Sequence, residues 1–548
     1  MMTISNTVSE FSKYAAQEFL QTVVFIDDRI YDRKSGSVSE PKQASMPKGR
    51  PKALKSADQK ISREVDGSLE ESDPEEYSPR KIVTSFAKKQ IICSLYQPER
   101  AASFSEKSEV FSLCLAADIV IVDWDLHGDA GTKALELVGE LIQRAVADTP
   151  EQLRLILVYT DQVNLPDIGN QLYQKISENL GERNLSVEDD GLAFHTLSSR
   201  VSILGKENGK RPDQYKNHEV IEKELADKAI EEFTKLASGL LYGTALKGLA
   251  EIRKNSRKIL SKFNSSLDPA FLTHRAMSLG SDEDASNHII PLLVSEIESV
   301  LEDVLPSPLI TEQLITDWCM NVWEPGSPAN NLLLGKSEED IRSIATDFCL
   351  EGEKAKEKNN QILKLNSNQN VRKFSKLLLA SENASSNYEF SHLMASRTFY
   401  GKALKTLRLG SVIHDLESDQ YLLCIQPVCD SVRLGEKRKF LFVELTKADS
   451  GNGYASHVVI HDNGEAIELY YQPKSFKCYI TEFSPDSRSK QVQVAKPDNN
   501  FVDTAGKKYV WIDQLKTSHA QRAVERYARE LSRVGLTESE WLRRLDKK

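Results

Sequence analysis

Four apolar runs of strand length fall within the first 206 residues, and each stops at or next to a polar side chain. Residues 23–26 lead into Asp27 and Asp28, residues 119–122 into Asp123, residues 155–159 into Thr160, and residues 201–205 into Lys206. A further run at 90–95 also reads as a strand. Between the runs the spacing turns helical, at about 5–20, 80–89, 105–115, 131–147 and 166–179. In the fourth of these, Leu135, Val138, Leu141, Ile142 and Val146 share one face, as a helical period requires. Runs that are apolar at every position belong to strands buried on both faces. The alternation predicts a five-stranded parallel sheet covered by helices on both sides, within residues 1–235.

The pattern breaks once inside this region and changes twice after it. Residues 34–79 are rich in Ser, Pro, Lys and Glu, basic in the first half (Lys42, Lys48, Arg50) and acidic in the second (Glu70, Asp73, Glu76). Such a stretch buries too little apolar surface to offset its ordering entropy, so it reads as a disordered insertion. Residues 236–408 are mostly helical in spacing, and residues 409–548 turn to short β-type runs, such as 421–425, 440–443, 466–471 and 509–512. An amphipathic helix at about 516–534 and a short one around Trp541 close the chain. The expectation is an α/β domain, a helical region and a small β-rich α+β domain.

Composition narrows the partners. The 548 residues carry a formal net charge of −10, which makes nucleic acid an unlikely partner, because it needs a basic face. No apolar stretch approaches the length that crosses a bilayer, and residues 1–14 lack a signal-peptide plan. The seven cysteines are dispersed, which reads as reduced thiols in a cytoplasmic protein without membrane contact.

Chemistry concentrates at the strand ends. In an open parallel sheet ligands bind at the carboxyl edge, so Asp27, Asp28, Asp123, Thr160 and Lys206 are expected to converge. Three clustered carboxylates repel one another unless a cation sits among them. Mg²⁺ fits, since it takes oxygen ligands and binds through carboxylates, phosphate and water. Asp27, Asp28 and Asp123 are the expected ligands, with the backbone carbonyl of Asp125 as a further one. Asp123 would also be the nucleophile, accepting a phosphoryl group to become an aspartyl phosphate. Lys206 would pair with the phosphoryl charge and Thr160 would donate a hydrogen bond to it.

This constellation resembles the receiver domain of two-component response regulators. Gly128 and Gly131 follow Asp123 at the family's spacing, and Thr160 and Lys206 match its strand-end Thr and Lys. His127 stands where the family often has Pro, Ile203 where it often has an aromatic switch residue, and Glu207 where it has Pro after the Lys. The resemblance implies a flavodoxin-like fold, Mg²⁺ as cofactor and a sensor histidine kinase as phosphoryl donor. A receiver joined to regions with no familiar output plan also resembles the receivers of bacterial anti-phage two-component systems, Detocs among them. That implies a phosphate sink beside a companion response regulator, in antiviral defence. An effector in the C-terminal region gated by phosphorylation, and a scaffold with a degenerate receiver, are the alternatives.

Elsewhere the residues favour structural readings. Cys424 and Cys429, with His457 and His461, carry donor types that suit zinc, but their spacing fits a packed strand and turn better. His127 reads as a loop residue, and His195 and His392 as isolated histidines. Arg522, Arg526 and Arg529 alternate with Glu525 and Glu530, as on a salt-bridged solvent face. No Gly-rich phosphate loop, metalloprotease motif or nucleophile elbow is present, so an enzyme is not expected beyond the receiver's own phosphorylation.

Overall fold

A computed structural model describes residues 6–31, 79–147, 152–180, 185–207, 210–277, 282–305, 308–326, 333, 335–355, 377–378, 385–400, 404–447, 456–462, 465–471, 474–495, 500–532 and 538–545. The expected insertion at 34–79 lies outside the described residues except for Pro79. That proline opens a helix, a position that needs no backbone N–H. The chain divides into two compact units, one spanning Ser9–Ala250 and the other formed chiefly by Glu251–Lys548.

The first unit contains α1 (Val8–Phe19), β1 (Thr22–Ile26), α2 (Pro79–Lys88), β2 (Ile92–Tyr96), α3 (Glu109–Ala116), β3 (Ile119–Val122), α4 (Thr132–Ala147), β4 (Arg154–Thr160) and α5 (Leu165–Leu180). It continues with β5 (Ser186–Glu188), β6 (Ala193–His195), β7 (Ser199–Lys206), β8 (Glu219–Val220), α6 (Leu225–Leu236) and the start of α7 (Leu240–Lys262). Strands β2, β1, β3, β4 and β7 lie side by side, all parallel, as the apolar runs predicted. The sheet is larger than expected. It has eight strands, because β5 and β6 form an antiparallel hairpin added beside β7, and two-residue β8 pairs with the end of β7. The five-stranded parallel sheet is therefore one side of a mixed one, with β2 at its edge. Short runs such as 186–188 carry too little period to stand out in sequence.

Successive residues of the parallel strands point to opposite faces, and both faces are covered. Val24, Ile26, Val120, Val122, Ile156 and Val158 pack with the helices α3, α4 and α5. Val23, Phe25, Ile119, Ile121, Leu155 and Leu157 pack with α1, α2 and α6. This double burial is why the strand sequences do not alternate. At the amino edge of the sheet Asp118 Oδ2 accepts from the N–H groups of Gln21 (2.8 Å) and Thr22 (3.0 Å), fixing β1 beside β3. Ser108 caps α3 by accepting from Phe111 N–H at 3.2 Å.

The second unit holds several helices, among them Asp282–Val304 and Glu338–Glu351, and an eight-stranded antiparallel sheet. Its strands are β9 (Ser411–Asp415), β10 (Gln420–Cys424), β11 (Arg438–Lys447), β12 (Ser456–Asp462), β13 (Glu465–Tyr471), β14 (Cys478–Phe483), β15 (Asn500–Val502) and β16 (Lys508–Gln514). A helix at Thr517–Leu531 packs Ala520, Ala523 and Tyr527 against one apolar cluster of this sheet. Strands β10, β11, β13 and β16 follow the expected runs, whereas β9, β12, β14 and β15 had not been expected.

Candidate phosphoryl-accepting site

The order β2-β1-β3-β4-β7 reverses direction between β1 and β3, and the crevice outside their carboxyl ends is where such sheets bind ligands. Asp27 directly follows β1 and Asp123 directly follows β3. Their backbones continue the ladder, with Asp123 N–H on Ile26 O at 2.8 Å and Asp27 N–H on Tyr96 O at 3.3 Å. Both side chains are buried, at 0% and 1% exposure. Oxygens of Asp27, Asp28 and Asp123 lie within 4.8 Å of one another, and among the described residues no other such acidic or metal-ligating group occurs.

Lys206, at the end of β7, reaches into this cluster. Its Nζ is 2.7 Å from Asp27 Oδ2 and 3.2 Å from Asp123 Oδ2. Thr160 is fully buried at the end of β4, and its Oγ1 accepts from Gln162 N–H at 3.2 Å. Four of the five strand-end residues thus share one crevice edge with Asp28 in the loop after β1. Asp125 sits in the turn after β3, where its Oδ1 accepts from Ala130 N–H at 3.1 Å.

The loop after β3 is tightly wound. His127, Gly128, Ala130 and Gly131 all have positive φ. A side chain on Gly131 would overlap the Trp124 ring, which is itself 4% exposed. Asp129 fastens the start of α4, accepting from Gly131 N–H at 3.1 Å and Lys133 N–H at 3.0 Å. His127 is more than a loop residue. Its N–H donates to Asp28 Oδ2 at 2.8 Å, and its Nε2 lies 2.8 Å from Pro98 O.

Two arginines escaped the sequence reading. Arg29 donates its N–H to Asp27 Oδ1 at 2.8 Å, and its guanidinium contacts Asp123 Oδ2 at 3.1 Å and Asp161 Oδ2 at 2.8 Å. Arg211, fully buried, donates to the carbonyls of Thr160 and Gln162, both at 2.8 Å through Nη2, and to that of Lys206, and pairs with Glu219 at 2.9 Å. It ties the end of β4 to the end of β7 and so sets Thr160 beside Lys206. The only sequence signal for Arg29 was its place directly after Asp27-Asp28; for Arg211 there was none.

Electrostatics fit a cation. Burial pushes the Asp123 carboxyl up to about 6, against the pull of Lys206, with Asp27 adding to the rise and Arg29 opposing it. Burial also raises Asp161, but the hydrogen bond and charge of Arg29 outweigh it and hold Asp161 below its usual value. Among the described residues four carboxylates (Asp27, Asp28, Asp123, Asp161) face two cationic side chains (Arg29, Lys206), an excess of negative charge that a divalent cation would offset. Asp28 Oδ1 and Asp123 Oδ1 are buried without a hydrogen-bond partner, which is costly unless something else satisfies them. The donor set suits Mg²⁺.

Residues 19–211 match the family model of the response receiver domain. The matched stretch runs from just before β1 to Arg211 and contains all five strand-end residues. No curated protein and no solved structure matches the chain. The receiver match accounts for the α/β architecture and points to phosphoryl acceptance in a two-component pathway, in which receivers act with histidine kinases. No helix among the described residues is long and apolar enough to cross a membrane. In this receiver Ile203 is fully buried in the core that faces α5, and its N–H is held by Leu192 O at 2.8 Å. Glu207 lies exposed just beyond β7.

Among the described residues, those weighed in the C-terminal region do not form a comparable centre. Cys424 is buried at the end of β10 among Ile413, Leu422 and Phe442, whereas Cys429 is exposed on the following turn. The His457 side chain lies outside the described residues. His392 pairs with the buried Asp513 at 3.0 Å and lies against His461, with ring centres 4.4 Å apart and the rings tilted by 47°. Of the isolated histidines, it is the one with a built environment.

Proposed function

We propose that this protein accepts a phosphoryl group on Asp123 from a sensor histidine kinase. The observation that carries this reading is the buried Asp123 carboxylate, with one oxygen bound by Lys206 and Arg29 and the other without a partner. In the transfer, an Asp123 oxygen forms a bond to phosphorus as the P–N bond of a phosphohistidine breaks. The imidazole nitrogen leaves with the electron pair and re-enters ordinary acid–base exchange. Lys206 neutralises charge on the phosphoryl oxygens, and the Thr160 hydroxyl donates to one of them. Catalysis of this kind is positioning and charge compensation.

Mg²⁺ would be held by Asp27, Asp28 and Asp123, with the Asp125 backbone carbonyl as a further ligand, and would supply charge neutralisation at the phosphoryl oxygens. Burial keeps water from screening the Lys206–Asp27 pair, so the ammonium stays fixed where the new charge appears.

For the whole chain the reading is a phosphate sink. It resembles the Detocs protein DtcB of anti-phage two-component systems, drawing phosphoryl groups from a kinase that also serves a companion response regulator. Support comes from the receiver's output side. Ile203 replaces the aromatic switch residue and is locked in the core, so the usual rearrangement of that residue is not available. The test is phosphotransfer from the cognate kinase with Mg²⁺ to wild type and Asp123→Ala. Label retained on the variant sinks the site assignment. With the companion regulator present, Asp123→Ala should raise that regulator's phosphorylation; no rise would leave the acceptor and remove the sink.

A further inference from the structure

We propose that Arg29 is a phosphoryl-binding residue, held across the mouth of the site by Asp161 and acting with Lys206 on the oxygens of the group at Asp123. The inference rests on the reading that Asp123 accepts phosphate. Arg29 Nη2 lies 3.1 Å from Asp123 Oδ2, the same oxygen that Lys206 Nζ reaches at 3.2 Å. Two cations from different parts of the sheet edge therefore converge on one carboxylate oxygen. Lys206 comes from within, with its side chain 9% exposed, and Arg29 from the mouth, at 42%.

The second contact of Arg29 fixes its direction. Nη1 donates to Asp161 Oδ2 at 2.8 Å, and Asp161 directly follows Thr160. The guanidinium thus bridges the loop after β1 and the loop after β4, with Asp123 beneath one of its nitrogens. Asp27 Oδ1 completes the arrangement by accepting the Arg29 N–H at 2.8 Å, which holds the backbone in a turn that aims the side chain inward. An unanchored arginine at this exposure would spend much of its time in solvent.

The chemistry of the transfer gives this arrangement a use. A carboxylate carrying one negative charge becomes an acyl phosphate carrying about two, and the added charge appears on the side of Asp123 that both cations already touch. A guanidinium is planar, always charged and able to grip two phosphoryl oxygens at once. Arg29 follows the charge from carboxylate to phosphoryl oxygen without leaving Asp161. Asp161 is a positioning residue; Arg29 and Lys206 are the pair that touches the transferred group.

The experiment uses the full-length protein with two probes. Fluoroberyllate, a phosphoryl mimic, is titrated at saturating Mg²⁺, and Mg²⁺ is titrated alone, both by calorimetry. Phosphoramidate then serves as donor: the O–P bond to Asp123 forms as the P–N bond breaks, and ammonia leaves. Arg29→Ala should weaken fluoroberyllate binding and slow labelling by about tenfold or more, while Mg²⁺ affinity holds or rises. Arg29→Lys should recover part of the loss, and Asp161→Asn should shift both readouts the same way by less. Fluoroberyllate binding unchanged in Arg29→Ala overturns the proposal, as does an equal loss of Mg²⁺ affinity, which would make Arg29 a structural strut. Wild type that takes no label on Asp123 overturns the functional reading itself, and so is distinguishable.

Discussion

Arg211 fills the space that a side chain on Gly205 would occupy, so the glycine and the guanidinium work as one device. Gly205 sits next to Lys206 on β7 and pairs with Thr160 on β4. Its missing side chain lets Arg211 lie flat against the strand ends and bind the carbonyls of Thr160, Gln162 and Lys206. Thr160 and Lys206 are thereby held in register from behind.

Gly205→Ala should force the guanidinium off these carbonyls. The expected cost is about 1–3 kcal/mol of stability, as for other insertions into packed interiors, read by urea unfolding. Arg211→Ala should cost about 3–5 kcal/mol, since it also leaves Glu219 without its buried partner. Both variants should slow phosphorylation of Asp123 although neither residue faces the phosphoryl group. Wild-type rates in both would show that Arg211 does not position Thr160 and Lys206.

Gly131→Ala should disturb the loop after Asp123. The glycine has φ +90, and its added methyl would overlap the Trp124 ring. A loss of about 1 kcal/mol or more is expected from the strained backbone alone. A change in tryptophan emission should accompany it; an unchanged spectrum and unfolding midpoint would mean that the loop relaxes freely.

Mg²⁺ should raise the thermal midpoint of the receiver. At one hundred times its dissociation constant, a ligand specific to the folded state adds about 2.7 kcal/mol. Asp28→Asn removes a carboxylate whose Oδ1 has no protein partner and should diminish the shift. Equal shifts in variant and wild type would place the ion elsewhere.

Glu232 on α6 should govern part of the acid unfolding. Burial would raise its carboxyl, but hydrogen bonds from Lys235, Ser202 and Arg200 outweigh that and bring it down to about 2, from an ordinary 4.5. A carboxylate held low in the folded state contributes stability that is full above the ordinary value and lost as pH falls toward the lowered one. Glu232→Gln should therefore be destabilised by about 3 kcal/mol at pH 7, with the gap to wild type closing between about pH 4.5 and pH 2. Denaturant unfolding at pH 7, 4 and 3 checks this; a gap independent of pH would exclude ionic linkage.

The sequence told most where one physical signal dominated. Strands β1, β3 and β4 are apolar at nearly every position because both faces are covered, β7 breaks the pattern with Arg200 and Ser202, and the ends were plain because a polar residue stops each run. That is also why Asp27, Asp123, Thr160 and Lys206 could be placed together. Arg29 and Arg211 were not legible. Their roles come from side-chain direction and from contacts across 94 and 51 residues, and a basic residue near an acidic one in sequence has no such meaning by itself. The hairpin β5–β6 was missed for a different reason: two three-residue strands are too short to carry a period, and their place is set by pairing with β7.

That hairpin decides who can add a strand to the receiver. The side of β7 away from β4 pairs with β6 at Arg200–Ser202, with Leu192 through Ile203, and with β8 at Gly205–Lys206. No stretch of that rim is left for a foreign backbone. Among the described residues the outer strands on this side are β5, three residues long, with Glu188 drawn into a pair with Arg200, and two-residue β8. A short, charged border of this kind offers poor footing for strand addition. Any assembly on this side of the sheet has to be built from side chains rather than by extending the ladder.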